Sequence, residues 1–125
     1  MAKFMSEEYV MQVQAALSQD QKWSEATKSL KTSIAFNVTD SGESYVMTVE
    51  NGATTFQKVP PVASGEFSFD GSYDSWSKVA KGEVDIQSAV LKGQLKFKGS
   101  LTKVLMYKDR FIRVAEIMRD VPKEF

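Results

Sequence analysis

The chain contains neither cysteine nor histidine. Without cysteine it has no disulfides, no thiol nucleophile and no sulfur-based structural zinc site. Without histidine it lacks the commonest general base and the commonest transition-metal ligand. A Ser-His-Asp or Cys-His apparatus cannot be assembled from these residues, and an enzyme made of this chain would depend on carboxylates, Lys, Tyr or a borrowed cofactor. No apolar run approaches the roughly 18 residues that a membrane span needs. The opening Met-Ala-Lys-Phe-Met-Ser-Glu-Glu has no apolar core and no small-residue cleavage site of a signal peptide, so the expectation is a cytoplasmic protein. There is no Gly-rich phosphate loop and no dinucleotide fingerprint. No cofactor and no metal is expected.

What is present is ordinary for a soluble globular protein. The 125 residues are 42% hydrophobic and 26% charged, which suits one domain over residues 1–125. The net charge is zero, but the charge is unevenly spread. From Asp40 to Asp74 six acids (Asp40, Glu43, Glu50, Glu66, Asp70, Asp74) meet only Lys58. From Lys92 to Arg113 seven bases (Lys92, Lys96, Lys98, Lys103, Lys108, Arg110, Arg113) meet only Asp109. A solvated face explains this asymmetry; an anionic surface or head group near that end explains it too. Aromatic residues are sparse among the bases, so nucleic acid is not an expected partner.

The hydrophobic period changes along the chain. Tyr9, Val10, Val13, Ala16 and Leu17 recur at helical spacing behind Ser6, a good N-cap backed by Glu7 and Glu8. Asp20 can cap a second helix containing Trp23, Ala26 and Leu30. At Thr32 the period becomes two, with Ile34, Phe36 and Val38 on one face. Asp40-Ser41-Gly42 and Asn51-Gly52 supply hairpin turns. Five strands are predicted, at 32–39, 43–50, 53–58, 66–70 and 94–98, with Phe67, Phe69, Leu95 and Phe97 facing one way. Each is apolar on one face and polar on the other. The fold class is therefore α+β, a five-stranded, mostly antiparallel sheet with helices packed on one face. The segment Val59 to Gly65, with Pro60-Pro61, reads as a flexible loop. Ser72 or Asp74, Asp85 and Ser100 can start three later helices, and Gly82 suits a C-terminal cap.

The tail, Leu101 to Val121, carries two apolar stripes that are out of phase. Leu101, Val104 and Leu105 form one; Phe111, Val114, Ala115 and Met118 form the other, rotated by roughly a quarter turn at about 100° per residue. A bend or break near Lys108 would let both face inward. Met106, Ile112 and Ile117 fall outside both stripes. Asp70 and Asp74 read as capping and turn residues rather than a catalytic pair, and the hydroxyls of Tyr45 and Tyr107 are candidates for a cavity mouth.

Four stretches resemble a known family: Phe67-Ser-Phe-Asp; Trp76-Ser-Lys-Val-Ala-Lys-Gly82; Ala89-Val-Leu-Lys-Gly93-Gln-Leu-Lys-Phe-Lys-Gly99; and Val121-Pro-Lys-Glu-Phe125. Together they are similar to the sterol carrier protein domain, a family of nonspecific lipid carriers. The resemblance implies noncatalytic binding, with transfer, of a lipid in a hydrophobic tunnel between the sheet and the late helices. The partner would be a fatty acyl, sterol or sterol-like molecule, with transient contact with an anionic membrane. By position it implies the lining residues Trp76, Val79, Ile86, Val90, Leu91, Phe97, Leu101, Val104, Leu105, Phe111, Ala115 and Met118. The same residues would also serve as an ordinary packed core. Two other roles stay open: a protein-interaction or oligomerisation module using the apolar tail, as a monomer or weak homodimer, and an accessory domain to a lipid-modifying enzyme.

Overall fold

Strand alternation from Thr32 onward builds the sheet against which the helices are laid. The computed structural model describes every residue from Met1 to Phe125. β1 (Lys31–Val38) and β2 (Glu43–Glu50) pair antiparallel, and β3 (Ala53–Val59) follows β2 through Asn51 and Gly52 at φ 49° and 88°. Two successive positive φ values are what a tight type I′ hairpin requires. The chain then crosses to the other side of β1, where β4 (Phe67–Gly71) runs parallel to it, and β5 (Lys96–Lys98) pairs antiparallel with β4. The order is β3-β2-β1-β4-β5. One parallel pair in four agrees with the mostly antiparallel sheet expected from the alternation.

β5 is shorter than expected. The backbone N–H groups of Gln94 and Leu95 both donate to the Ala89 carbonyl, at 2.9 and 3.1 Å. Leu95 is thus engaged by the preceding helix before the strand begins, although its side chain is buried as the alternation predicts. It packs over Gly71, where any side chain would collide with it.

Register sets the inner face. Tyr45, Phe36, Phe69 and Phe97 align in one row across four strands, beside a second row of Phe56, Met47, Ile34 and Phe67. Three helices bury against these rows: α1 (Glu7–Gln19) through Tyr9, Val13 and Leu17, α3 (Tyr73–Ala80) through Trp76 and Val79, and α6 (Lys108–Asp120) through Phe111, Val114, Ile117 and Met118. The hydroxyls of Tyr9 and Tyr45 and the indole N–H groups of Trp23 and Trp76 are buried with partners. Tyr9 Oη donates to the Met118 carbonyl and Tyr45 Oη to that of Met5, each at 2.8 Å. Trp76 Nε1 donates to the Asn37 carbonyl at 3.0 Å, and Trp23 Nε1 to Thr54 Oγ1 at 2.8 Å.

The expected caps form. Ser6, Asp20, Ser72, Asp85 and Ser100 accept from the N–H three residues on, starting α1, α2 (Gln21–Ala26), α3, α4 (Ile86–Leu91) and α5 (Leu101–Met106). Ser72, not Asp74, caps α3. The tail breaks at Tyr107, between α5 and α6. The α6 stripe faces inward, and Ile117 joins it. Of the α5 stripe only Val104 packs against the core; Leu101 and Leu105 do not, contrary to expectation. No residue of α5 is buried; Leu101 is 72% exposed, Leu105 71% and Met106 65%.

The segment Val59 to Gly65 lies folded over the other face of the sheet rather than standing free as a loop. Asn37 Nδ2 donates to the Ala63 carbonyl at 3.0 Å and to Asp70 Oδ1 at 2.8 Å, while its Oδ1 accepts from the Ala63 N–H at 2.9 Å and from Ser44 Oγ at 2.6 Å. Asn37, Ser44 and Ser68 are buried as a result. Two or more satisfied bonds per buried amide outweigh its desolvation, so a polar row that reads as solvated is sealed.

One ion pair ties α6 to the start of α2. The Arg113 guanidinium of α6 donates to both oxygens of Asp20, at 2.5 and 3.0 Å, while the same carboxylate caps α2. The hydrogen bonds from Arg113 hold the Asp20 carboxyl below the usual carboxylate range. Stability from this pair is fully present above the unfolded value, near 3.9, and is lost as pH falls through the lower folded value. Asn caps helices as well as Asp, so Asp20→Asn removes the charge and keeps the cap. It is expected to cost about 1–2 kcal/mol in urea melts at neutral pH. That gap should close as the melts are repeated from about pH 5 down to about pH 2.

Candidate functional site

Because α5 stays off the core, a cavity of about 360 Å³ remains between α4, α5, the start of α6 and the β4–β5 end of the sheet. Its floor is aromatic. The Phe69 ring stands 5.2 Å from that of Phe97 and 5.7 Å from that of Phe111, the latter edge-on. One wall is the α4 face bearing Ile86, Val90 and Leu91; the opposite wall is the α5 face bearing Leu101, Val104 and Leu105. Spacings of three and four residues put Leu101, Val104 and Leu105 on one face of α5, and a spacing of four does the same for Ile86 and Val90 on α4. Asp85, Gln87, Ser88 and Lys108 add polar atoms to the lining. The Asp85 carboxylate is engaged in capping α4, accepting from Ser88 N at 2.8 Å, and that backbone bond holds it below the usual carboxylate range. Lys108 makes no ion pair.

The structure divides the sequence-derived lining residues into two groups. Ile86, Val90, Leu91, Phe97, Leu101, Val104, Leu105 and Phe111 line this cavity. Trp76, Val79, Ala115 and Met118 lie deeper, around a separate void of about 10 Å³ that Ile86 and Phe111 also border. A space of that size holds at most a water molecule. Trp76 is fully buried with its indole N–H bonded to the sheet. Phe69, Asp85, Gln87, Ser88 and Lys108 line the cavity without having been singled out. Phe69 was accessible to reasoning, since its alternation with Phe67 and its pairing with Phe97 put it on the inner face. Lys108 sits where the tail's phase breaks. Gln87 and Ser88 carry no signal of their own.

Geometry also decides the remaining candidates. Tyr45 is fully buried in the core with its hydroxyl on the Met5 carbonyl, so it does not reach a cavity mouth. Tyr107 stands at the α5–α6 break with its ring edge-on to Phe67 at 5.9 Å and does not line the cavity. Asp70 accepts from Asn37 and faces Lys98 at 3.9 Å, whereas Asp74 pairs with Lys78 at 3.4 Å; the two make no joint site. The basic residues of the C-terminal part do not form one patch. Lys96 and Lys98 flank the cavity-lining Phe97 and so point to the opposite sheet face. Lys103 is engaged by Glu66 at 2.9 Å, Arg110 donates to the Ala26 carbonyl at 2.8 Å and Arg113 pairs with Asp20. Lys92 and Lys108 are left beside the cavity's α4 and α6 walls.

An apolar cavity of this size between one sheet face and the late helices has the dimensions and lining of a small-molecule site. Residues 12–111 match the model of the SCP-2 sterol transfer family, and the chain belongs to that family. Membership places it among domains of lipid binding and transfer. No curated protein matches it by sequence. Among solved structures, a crystal structure of sterol carrier protein 2 is similar at a TM-score of 0.86 and 19% identity, over 96% of this chain and 100% of that one. A conserved hypothetical protein of Thermus thermophilus is similar at 0.79 and 17%, over 99% and 94%. The inverting sec-alkylsulfatase Pisa1 of Pseudomonas sp. is similar at 0.54 and 15%, over 82% of this chain but 14% of that one, so the same fold also occurs as part of an enzyme. No helix of the chain is long and apolar enough to cross a membrane.

The exposed α5 wall and the buried aromatic floor of the cavity differ in what they contribute to stability. Leu105→Glu, on the wall, is expected to change the unfolding free energy from urea melts by less than about 0.5 kcal/mol. Phe111→Ala, in the floor, is expected to cost about 3–5 kcal/mol. Similar losses for both variants would mean that α5 closes onto the core in solution.

Proposed function

We propose that this chain holds one lipid-like molecule in the cavity between α4, α5 and the β4–β5 end of the sheet, leaves it chemically unchanged, and hands it on. The observation that carries this reading is the cavity itself. Its volume of about 360 Å³, with nine apolar lining residues, falls within the range of small-molecule sites. The α5 leucines support it further, since they form one wall of that space without being covered by protein. Family membership points the same way.

The mechanism is partition. Each methylene moved from water into such a cavity contributes about 0.8 kcal/mol, so about ten methylenes contribute about 8 kcal/mol before the costs of association. Fatty acyl chains and sterol-like molecules both satisfy that requirement. Lys108, unpaired at the lining, favours an anionic polar end over a cationic one. The Asp85 carboxylate at the lining is committed to capping α4, which suits holding a ligand rather than acting on it. The alkylsulfatase likeness supports a second reading, in which the domain presents a lipid-like substrate to an enzyme.

Native mass spectrometry of the purified protein, followed by solvent extraction, is expected to show one bound lipid per chain. In fluorescent fatty-acid titrations Leu105→Glu should bind about tenfold more weakly than the unmodified chain, with an unchanged melt, because a carboxylate would face the apolar ligand without a partner. No saturable binding across acyl, sterol and isoprenoid probes would end the carrier reading.

The cavity wall also bears on loading. Leu91 at 87% exposure and the α5 leucines lie near the unpaired Lys92 and Lys108. Each base at an anionic surface contributes about 1 kcal/mol within a Debye length. Co-sedimentation with anionic vesicles should therefore be weak and should fall as salt is raised, with Lys92→Glu/Lys108→Glu abolishing the salt-sensitive part. Equal binding to neutral and anionic vesicles would remove the two lysines from loading.

A further inference from the structure

Three spaces adjoin one another along the inner side of α4. The lipid-sized cavity meets the void of about 10 Å³ across Phe69, Ile86 and Phe111. On its other side the void meets a lateral pocket of about 230 Å³, open beside Glu116 and Arg119, across Val79, Ile86 and Ala115. Ile86 alone borders all three. It is the first residue of α4, and its side chain is buried.

We propose that Ile86 determines the length of chain the protein accepts, as the partition between the cavity and an inner path to a second opening beside Arg119. The inference rests on the lipid-binding reading and specifies its selectivity. The other two side chains of the outer partition are held from several sides. Phe69 and Phe111 contact each other at 5.7 Å, Phe69 also meets Phe97 at 5.2 Å, and Phe111 also meets Phe67 at 5.2 Å. Those rings are carried by a strand inside the sheet and by a 13-residue helix. Ile86 is carried by a helix of six residues. A branched aliphatic side chain there fills the junction without a polar group that must be satisfied. Shortening it opens both boundaries at once, whereas shortening Phe69 opens only the outer one and shortening Val79 only the inner one. With Ile86 in place a chain tip stops at the junction. With the junction open it continues toward the lateral pocket.

The test is displacement of a fluorescent fatty acid by saturated fatty acids from about ten to about twenty carbons, a series in which each buried methylene strengthens binding by about fourfold. The unmodified chain should gain affinity along the series until the cavity is full and then level off. Ile86→Ala should keep the shorter acids within about threefold of the unmodified chain and move the plateau to chains longer by several carbons. Ile86→Val, which disturbs packing least, should move it in the same direction by less, and this keeps the test decisive if the alanine variant does not fold. Leu105→Ala, on the outer wall, should weaken all lengths alike and leave the plateau where it was. A folded Ile86→Ala or Ile86→Val protein with an unmoved plateau overturns the role of Ile86 and leaves the carrier reading intact. Failure of the unmodified chain to bind any acid overturns the chain-length role of Ile86, and failure with sterol and isoprenoid probes as well overturns the carrier reading.

Discussion

The edge-on packing of Phe111 against Phe67 and Phe69 is the contact on which the arrangement of this molecule turns. It fixes the start of α6 to β4, in register with the aromatic row that crosses four strands. On its α1–α3 side lies the larger part of the close-packed core; on its α4–α5 side lies the cavity. An edge-to-face aromatic pair adds about 0.5–1.5 kcal/mol beyond its buried area, and Phe111 makes two such pairs. The boundary between core and cavity is therefore set by rings whose positions are determined by strand register, and it does not depend on the loosely covered helix above.

α5 is held by different means. Its N-terminus is capped by Ser100, Lys103 reaches back to Glu66, and Val104 is half-buried. Glu66 is itself held by the Thr32 hydroxyl, and together these bonds keep its carboxyl below the usual range. A helix of six residues has little stability of its own in water, so its position depends on these few tethers and on whatever lies beneath it. The Asp20–Arg113 pair and the Tyr9 hydroxyl on Met118 hold α6 firmly against α2 and α1. α6 is thus fixed and α5 lightly anchored.

Much of this was legible in the chain. Period-two alternation placed the strands because one buried face leaves the register little freedom. The serine and aspartate caps placed the helix starts. The mismatch between the two tail stripes located the α5–α6 break, since a straight helix cannot turn both to one side. What escaped depended on tertiary contact. Asn37 looked like a solvated strand residue because nothing local shows that the carbonyl and N–H of Ala63 will come to meet it. Leu101 and Leu105 announced an apolar face but not whether protein would cover it. Trp76, Val79, Ala115 and Met118 are chemically the same kind of residue as Val90 and Phe97. Only close packing around a small void separates the first group from the cavity, and periodicity does not encode packing at that scale. The family resemblance supplied the general location of a lining and could not divide it.

The uncovered leucines of α5 have a consequence for how the protein is seen from outside. Contiguous exposed apolar surface is what chaperones, proteases and other copies of a chain respond to. On the carrier reading, a molecule lying against Leu101, Leu105 and Leu91 removes that surface from water, and its departure restores it. Occupancy is then displayed on the exterior, and the loaded and empty forms differ in persistence and sociability as well as in content.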